Sequence, residues 1–112
     1  MKWYHETRII KHMFDGVGEV IIQDIADEQI MNMKNRVFLK MTLNQNCSLG
    51  LHTHHGEQEI YYILEGSGMY RDDDQEYMVH AGDVLLCEAD HQHAIRNHTI
   101  EKLVFIALVI RV

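Results

Sequence analysis

Hydrophobic and polar residues alternate singly along much of this sequence, which predicts β-strands with one buried face. The clearest case is the stretch RVFLKMTL, whose hydrophobic face consists of Val37, Leu39, Met41 and Leu43. A second stretch, EIYYILEG, is rich in β-branched and aromatic residues and ends at a glycine turn. The last hydrophobic run, KLVFIALVI, has no polar alternation, so we expect a strand that is covered on both faces.

Polar turn signals separate these strands at intervals of about eight to twelve residues. The stretch RDDDQEY predicts a hairpin tip, AGD predicts a tight turn, and HAIRN alternates again as a strand. The stretch GVGEVIIQDI predicts an early strand, and only residues 24–35 are compatible with a helix. This pattern indicates an all-β chain folded as an antiparallel sandwich or barrel.

Length and composition place the chain among soluble globular proteins of one domain. It has 112 residues, 46% of them hydrophobic, and a net charge of −7. The acidic balance and the lack of any Lys/Arg cluster argue against nucleic acid and membranes as partners. The N-terminus lacks a signal-peptide core, and Cys47 and Cys87 form no CxxC motif, so we expect a cytoplasmic protein with reduced thiols.

Three histidines within four positions suggest a functional site and not only core packing. If His52 and His54 lie on one strand, they point to the same side, whereas His55 points away. A hairpin turn at residue 56 would bring Glu59 opposite them, and His93 begins another alternating stretch. Three imidazoles and one carboxylate suit one divalent transition metal ion such as Mn, Fe, Zn or Ni. An octahedral ion held by four protein groups keeps two positions open.

The spacing of these residues resembles the two sequence motifs of the cupin superfamily, in its small single-domain form. The first motif is G-x5-H-x-H-x3–4-E-x6-G, and the second is G-x5-P-x-G-x2-H-x3-N. In the present sequence they correspond to NCSLGLHTHHGEQEIYYILEG and GDVLLCEADHQHAIRN. The matching positions are His52, His54, Glu59, Gly66, Gly82, His93 and Asn97.

This resemblance implies a cupin-like double-stranded β-helix, or jelly-roll, barrel in a single domain spanning residues 1–112. The barrel core would cover about residues 35–110, and the N-terminal strands within residues 1–25 would lie at a homodimer interface, together with KLVFIALVI. The resemblance also implies that His52, His54, Glu59 and His93 are the metal ligands.

Three positions depart from the motifs. Asn46 and Asp90 replace glycines, and Glu88 replaces the proline. Asn and Asp are the non-glycine residues that best tolerate a left-handed backbone, so we expect the turns to survive. Without the proline, the loop before His93 is less constrained.

The resemblance does not select one reaction, because one fold hosts many functions. The first hypothesis is a metal-dependent isomerase, decarboxylase or dioxygenase acting on a sugar acid, keto acid or enediol. The alternative is a non-catalytic cupin that binds or senses a small molecule. His91 and Tyr61 are candidate catalytic residues, because an imidazole titrates near neutral pH and Tyr61 shares a strand face with Glu59.

Overall fold

The computed structural model describes residues 2, 6–27, 31 and 35–112. Within them it contains ten β-strands and one short 3-10 turn, Met13–Asp15. The strands are β1 (Thr7–Lys11), β2 (Glu19–Ala26), β3 (Asn35–Leu43), β4 (Ser48–Thr53), β5 (Glu57–Glu65), β6 (Ser67–Asp72), β7 (Gln75–His80), β8 (Val84–Cys87), β9 (Gln92–Arg96) and β10 (Leu103–Arg111). None of the described residues belongs to a helix long and apolar enough to span a membrane.

The strands form two antiparallel sheets. The larger has the order β1-β2-β3-β10-β5-β8, and the smaller has the order β4-β9-β6-β7. Successive strands change sheet at 43–48, 53–57, 65–67, 80–84, 87–92 and 96–103, so the chain winds between two layers as a double-stranded β-helix does. The predicted all-β jelly-roll architecture is confirmed.

The inward faces of both sheets supply the core, as the alternating pattern predicted. In β3, Leu39, Met41 and Leu43 are buried, and Val37 packs against their cluster while remaining partly exposed. Phe105 of β10 pairs with both Met41 and Ile63, and all three are buried, so the inward face of the larger sheet is closed at its middle. Burial of each such side chain contributes roughly 1.5–3 kcal/mol. The core therefore fixes which face of each strand points inward.

The two replaced motif glycines behave as expected. Asn46 and Asp90 have φ angles of 66° and 69°, so both adopt the left-handed backbone that Asn and Asp tolerate. Gly66, in contrast, cannot be replaced easily. It has a φ angle of 79°, and a Cβ there would collide with the carbonyl oxygen of Lys102.

Two expectations need correction. The possible helix over residues 24–35 is wrong at residues 24–26, which continue β2, and at residue 35, which begins β3, while residues 28–30 and 32–34 lie outside the described part of the chain. The predicted hairpin around residue 56 is also wrong, because β4 and β5 belong to different sheets. The turn itself exists, with Gly56 at a φ angle of 68°, but it is a corner between layers.

The final strand is covered on one face only. β10 lies between β3 and β5, and its inward residues are buried. On the outward face Ile106, Leu108 and Ile110 remain partly exposed, so the expected cover on both faces is not provided by the described chain alone. A homodimer formed through this strand and the N-terminal residues stays a prediction, and residues 1 and 3–5 lie outside the described part.

Candidate metal centre

A β-bulge in β4 turns His52 toward the interior. Leu49 pairs with Ile95 and His52 pairs with His93, so β4 places two residues where β9 places one. Strict alternation from the buried Leu49 would have turned His52 outward. The extra residue reverses this orientation, as bulges beside functional sites often do. The bulge therefore makes His52 and His93 direct cross-strand neighbours inside the barrel.

Four side chains from the two sheets converge at this point. His52 and His93 come from the smaller sheet, His54 follows β4, and Glu59 comes from β5 of the larger sheet. Each residue offers a ligand atom, and these atoms lie within 4.8 Å of one another. His54, Glu59 and His93 are buried, whereas His52 retains slight exposure. The four residues selected from the sequence thus form one group that could hold a metal ion.

Five of the six distances among the four ligand atoms are close to those between the corners of an octahedral ion. Glu59 Oε1 lies 2.9 Å from the Nε2 atoms of both His54 and His93. His93 Nε2 lies 3.2 Å from His54 Nε2 and 3.0 Å from His52 Nε2, while His52 Nε2 and Glu59 Oε1 are 4.0 Å apart. Ligands about 2.1 Å from an octahedral ion are about 3.0 Å apart at neighbouring corners and about 4.2 Å apart at opposite corners.

The second ring nitrogen of each histidine has its own partner. His52 Nδ1 donates to the carbonyl oxygen of Gly50 at 2.7 Å, and His54 Nδ1 donates to Glu57 Oε1 at 3.1 Å. His93 Nδ1 lies 2.8 Å from the hydroxyl of Tyr70.

With the proton held on Nδ1, a neutral imidazole presents a lone pair at Nε2. The three Nε2 lone pairs then face one another and a carboxylate. Only protons or a metal cation can bind to such a group of lone pairs. The residues present therefore fit a metal ion.

When protons occupy the Nε2 atoms instead, the histidines stabilise the charge of Glu59. Burial opposes ionisation of Glu59, yet the neighbouring imidazoles of His52, His54 and His93 outweigh it and hold the pKa of the Glu59 carboxyl far below its usual range. The hydrogen bond to Glu59 raises the pKa of His54 against the opposing effect of burial. For His93, desolvation prevails and lowers the pKa. The site thus keeps a permanent negative charge beside imidazoles that can release protons to a metal.

The centre opens into a small cavity of about 130 Å³. Typical ligand pockets measure about 300–1,000 Å³, so this one suits a molecule of only a few heavy atoms. Its wall is mostly apolar and comes largely from the larger sheet and the N-terminal segment. The lining residues are Arg8, Met13, Phe14, Ile22, Val37, Leu39, Met41, His52, His54, Glu59, Tyr61 and Val109.

A strained turn places Phe14 against the centre. The ring of Phe14 stacks on His52 with centroids 3.9 Å apart and planes 13° from parallel. His12, Phe14 and Asp15 all have φ angles between 53° and 61°, which is unusual for side chains of this size. Gly50 makes room for the turn, because a Cβ there would collide with the carbonyl oxygen of Phe14.

The two candidate catalytic residues occupy different places. Tyr61 lines the cavity, is buried, and stacks on His93 with ring centroids 4.9 Å apart. Desolvation raises the pKa of the Tyr61 hydroxyl well above its usual value. His91 lines a separate surface depression and pairs with Asp73 at 2.6 Å, an interaction that raises the pKa of His91. Catalytic roles for both residues stay predictions.

Sequence reasoning missed four residues around the centre. Glu57 and Tyr70 could have been found, since Glu57 shares a strand face with Glu59 and Tyr70 lies at an inward position of β6. Arg8 and Phe14 carried no such signal. Both come from the N-terminal segment, and only the tertiary fold brings them to the cavity.

Comparison with known proteins gives consistent matches along the chain. Residues 39–110 match the family model described as "Cupin domain". The chain is 39% identical over 101 residues to an oxalate-binding protein of Thermotoga maritima, covering 90% of this chain and 84% of that protein.

Two solved structures show the similarity in three dimensions. The crystal structure of a predicted oxalate decarboxylase from Thermotoga maritima is similar, with a TM-score of 0.93 and 37% identity over 95% of this chain and 92% of that chain. A cupin 2 conserved barrel domain protein from Salinispora arenicola has a TM-score of 0.77 at 21% identity, over 97% and 87% of the two chains. The similarity to the Salinispora arenicola protein concerns the fold alone.

Proposed function

The chain belongs to the cupin domain family, and from this membership we propose that it binds one divalent transition metal ion and through it holds a small carboxylate. The ligands are His52, His54, Glu59 and His93, and the observation that carries the proposal is the convergence of their four ligand atoms. Manganese, iron, zinc and nickel all suit such ligands. When bound, the ion supplies a Lewis acid with two positions for ligand oxygens.

Oxalate is our first choice of ligand, for two reasons. The Thermotoga maritima relative is named an oxalate-binding protein. The cavity of about 130 Å³ is small enough to favour a molecule of that size over a sugar. Around the ligand, the apolar wall would exclude water, and the hydrogen bonds on each Nδ1 atom would keep the histidines in a fixed orientation.

Binding without turnover is the version of this proposal that the cavity favours. Tyr61 lines the cavity, but its raised pKa disfavours proton transfer near neutral pH, and His91 lies elsewhere. Turnover is the second candidate, as a decarboxylase, isomerase or dioxygenase. It is supported by an open metal site inside a mostly apolar cavity and by the similarity to a predicted oxalate decarboxylase.

Metal analysis combined with ligand titration tests the proposal. Protein purified without chelator should contain about one transition metal ion per chain, and calorimetry should detect oxalate binding only to the loaded form. A His54→Ala variant should lose both metal and oxalate binding. His98→Ala, which removes an exposed histidine, is the matched control and should retain both. Metal-free protein that binds oxalate as tightly as loaded protein would refute the proposal.

The same samples separate binding from turnover. Loaded protein incubated with oxalate should leave it intact if the protein is a binding module, as followed by ion chromatography. Conversion of oxalate to formate and carbon dioxide at a rate that depends on the metal would instead establish the decarboxylase alternative.

A further inference from the structure

The cavity needs a second positive charge if its ligand carries two carboxylates. A divalent ion together with Glu59 leaves one net positive charge, which balances a single carboxylate. Among the described residues that line the cavity, Arg8 is the only other cation. Every other lining residue is apolar, a metal ligand or Tyr61. The cavity thus places a metal site and one guanidinium group around the same small volume.

The hydrogen bonds of Arg8 leave one edge of its guanidinium group free. Its Nε and Nη2 atoms each donate to Asp24, at 3.1 Å to Oδ2 and 3.1 Å to Oδ1. This contact uses one edge of the planar guanidinium group, which has five N–H groups in all. The edge formed by Nη1 and Nη2 has the same fork geometry and matches a pair of carboxylate oxygens. The Arg8 side chain is half-exposed, and Asp24, three-quarters shielded from solvent, holds its guanidinium group in place.

We propose that Arg8 is a specificity-determining residue that selects short dicarboxylates over monocarboxylates. The metal would take one oxygen from each carboxylate of the ligand, and the two outer oxygens accept hydrogen bonds from the free edge of Arg8. The inference rests on the proposed metal-dependent binding and adds the residue that selects the ligand. Arg8 lies on β1, far in sequence from both motifs, so the same metal ligands could serve other ligands in chains that lack it.

Glycolate and oxalate provide a matched pair of probes. Both can chelate an ion through two oxygens in a five-membered ring, but only oxalate carries a second carboxylate. For metal-loaded wild-type protein, calorimetry should show tighter binding of oxalate than of glycolate. Arg8→Gln should weaken oxalate binding by about 10-fold or more and leave glycolate binding within about twofold. Metal content should be unchanged, because Arg8 is not a ligand.

Two further variants isolate the contact from general charge effects. Lys11→Gln removes a positive charge from an exposed position on the same strand and should leave both affinities unchanged. The double variant Arg8→Gln/Asp24→Asn keeps the net charge of the wild type and should still lose the preference for oxalate. Recovery of oxalate binding in the double variant would overturn the proposal, since the loss would then come from an unpaired Asp24.

These measurements distinguish the role of Arg8 from the proposed metal-dependent function. If wild-type protein holds no metal, or binds neither acid, the proposed metal-dependent function fails. If wild-type protein binds oxalate through the metal and Arg8→Gln binds it equally well, the function stands and the role of Arg8 is wrong.

Discussion

The hydroxyl of Tyr70 contacts His93, one of the proposed metal ligands, and its removal is the sharpest test of the centre. Tyr70 is buried, with 1% of its surface exposed, and its hydroxyl lies 2.8 Å from His93 Nδ1. Tyr70→Phe deletes this oxygen and leaves the rest of the ring in place. His93 Nδ1 then loses its partner, and its ring can turn or exchange its proton to Nε2, which disables the atom that faces the metal.

Loss of such a supporting hydrogen bond typically weakens metal binding by about 10- to 100-fold, or about 1.4–2.7 kcal/mol. For a chain of 112 residues, the entropy of unfolding is about 0.24 kcal/mol per degree at the midpoint. The increase in melting temperature on metal binding should therefore be smaller in Tyr70→Phe by about 6–12 °C. The unpaired nitrogen also destabilises the fold itself by about 1–3 kcal/mol, but that cost affects loaded and stripped protein alike.

The assay is thermal unfolding of stripped and metal-loaded protein at the same free metal concentration, followed by circular dichroism. Tyr77→Phe is the matched control, because it removes a partly exposed hydroxyl that donates to Asp72 at 3.2 Å and not to any of the four proposed ligands. In Tyr77→Phe we expect the same increase in melting temperature on metal binding as in the wild type. An undiminished increment in Tyr70→Phe would show that the hydrogen bond does not support metal binding, and the reasoning about His93 would be refuted.

Three further predictions concern stability and titration. Asn97 is buried and donates to two backbone carbonyl oxygens, so Asn97→Ala should cost about 2–4 kcal/mol in urea unfolding, while the exposed His98→Ala should change stability by less than about 0.5 kcal/mol. Because Phe14 has a φ angle of 53°, Phe14→Gly should be more stable than Phe14→Ala by about 1 kcal/mol in the same assay, and equal stability would argue against strain in this turn. The hydrogen bond to Asp73 raises the pKa of His91, so NMR titration should show it above the usual pKa of a histidine and returning toward that value in Asp73→Asn. The stabilisation from this pair should disappear as pH rises through the raised pKa of His91, and also as pH falls through the lowered pKa of Asp73.

The inner face of each strand could be predicted from alternation, because burial of one face imposes a two-residue period. Leu39, Met41 and Leu43 are examples. The pairing of strands was harder, since local patterns do not say which layer a strand joins. The segment around residue 56 was predicted as a hairpin for this reason, although β4 and β5 lie in opposite sheets.

The metal ligands could be selected because their spacing matches two known motifs, but the rest of the cavity could not. Phe14 and Arg8 reach it through a turn and an edge strand whose sequence shows no functional pattern. The inward orientation of His52 was predicted correctly, but from alternation alone and without the bulge. Its inward direction requires an extra residue in β4, which alternation alone does not reveal.

The bulge between Leu49 and His52 makes the centre depend on strand register as well as on side-chain identity. If the same residues paired regularly after Leu49, His52 would face the outer surface and Leu51 the interior, with every ligand letter still present in the sequence. Deletion of residue 50 or 51 would not have this effect, because His52 would then follow Leu49 by two positions and would still lie opposite His93. Homologous chains should accordingly be judged by how the first histidine of the motif pairs with the neighbouring strand, and not only by whether that histidine is there.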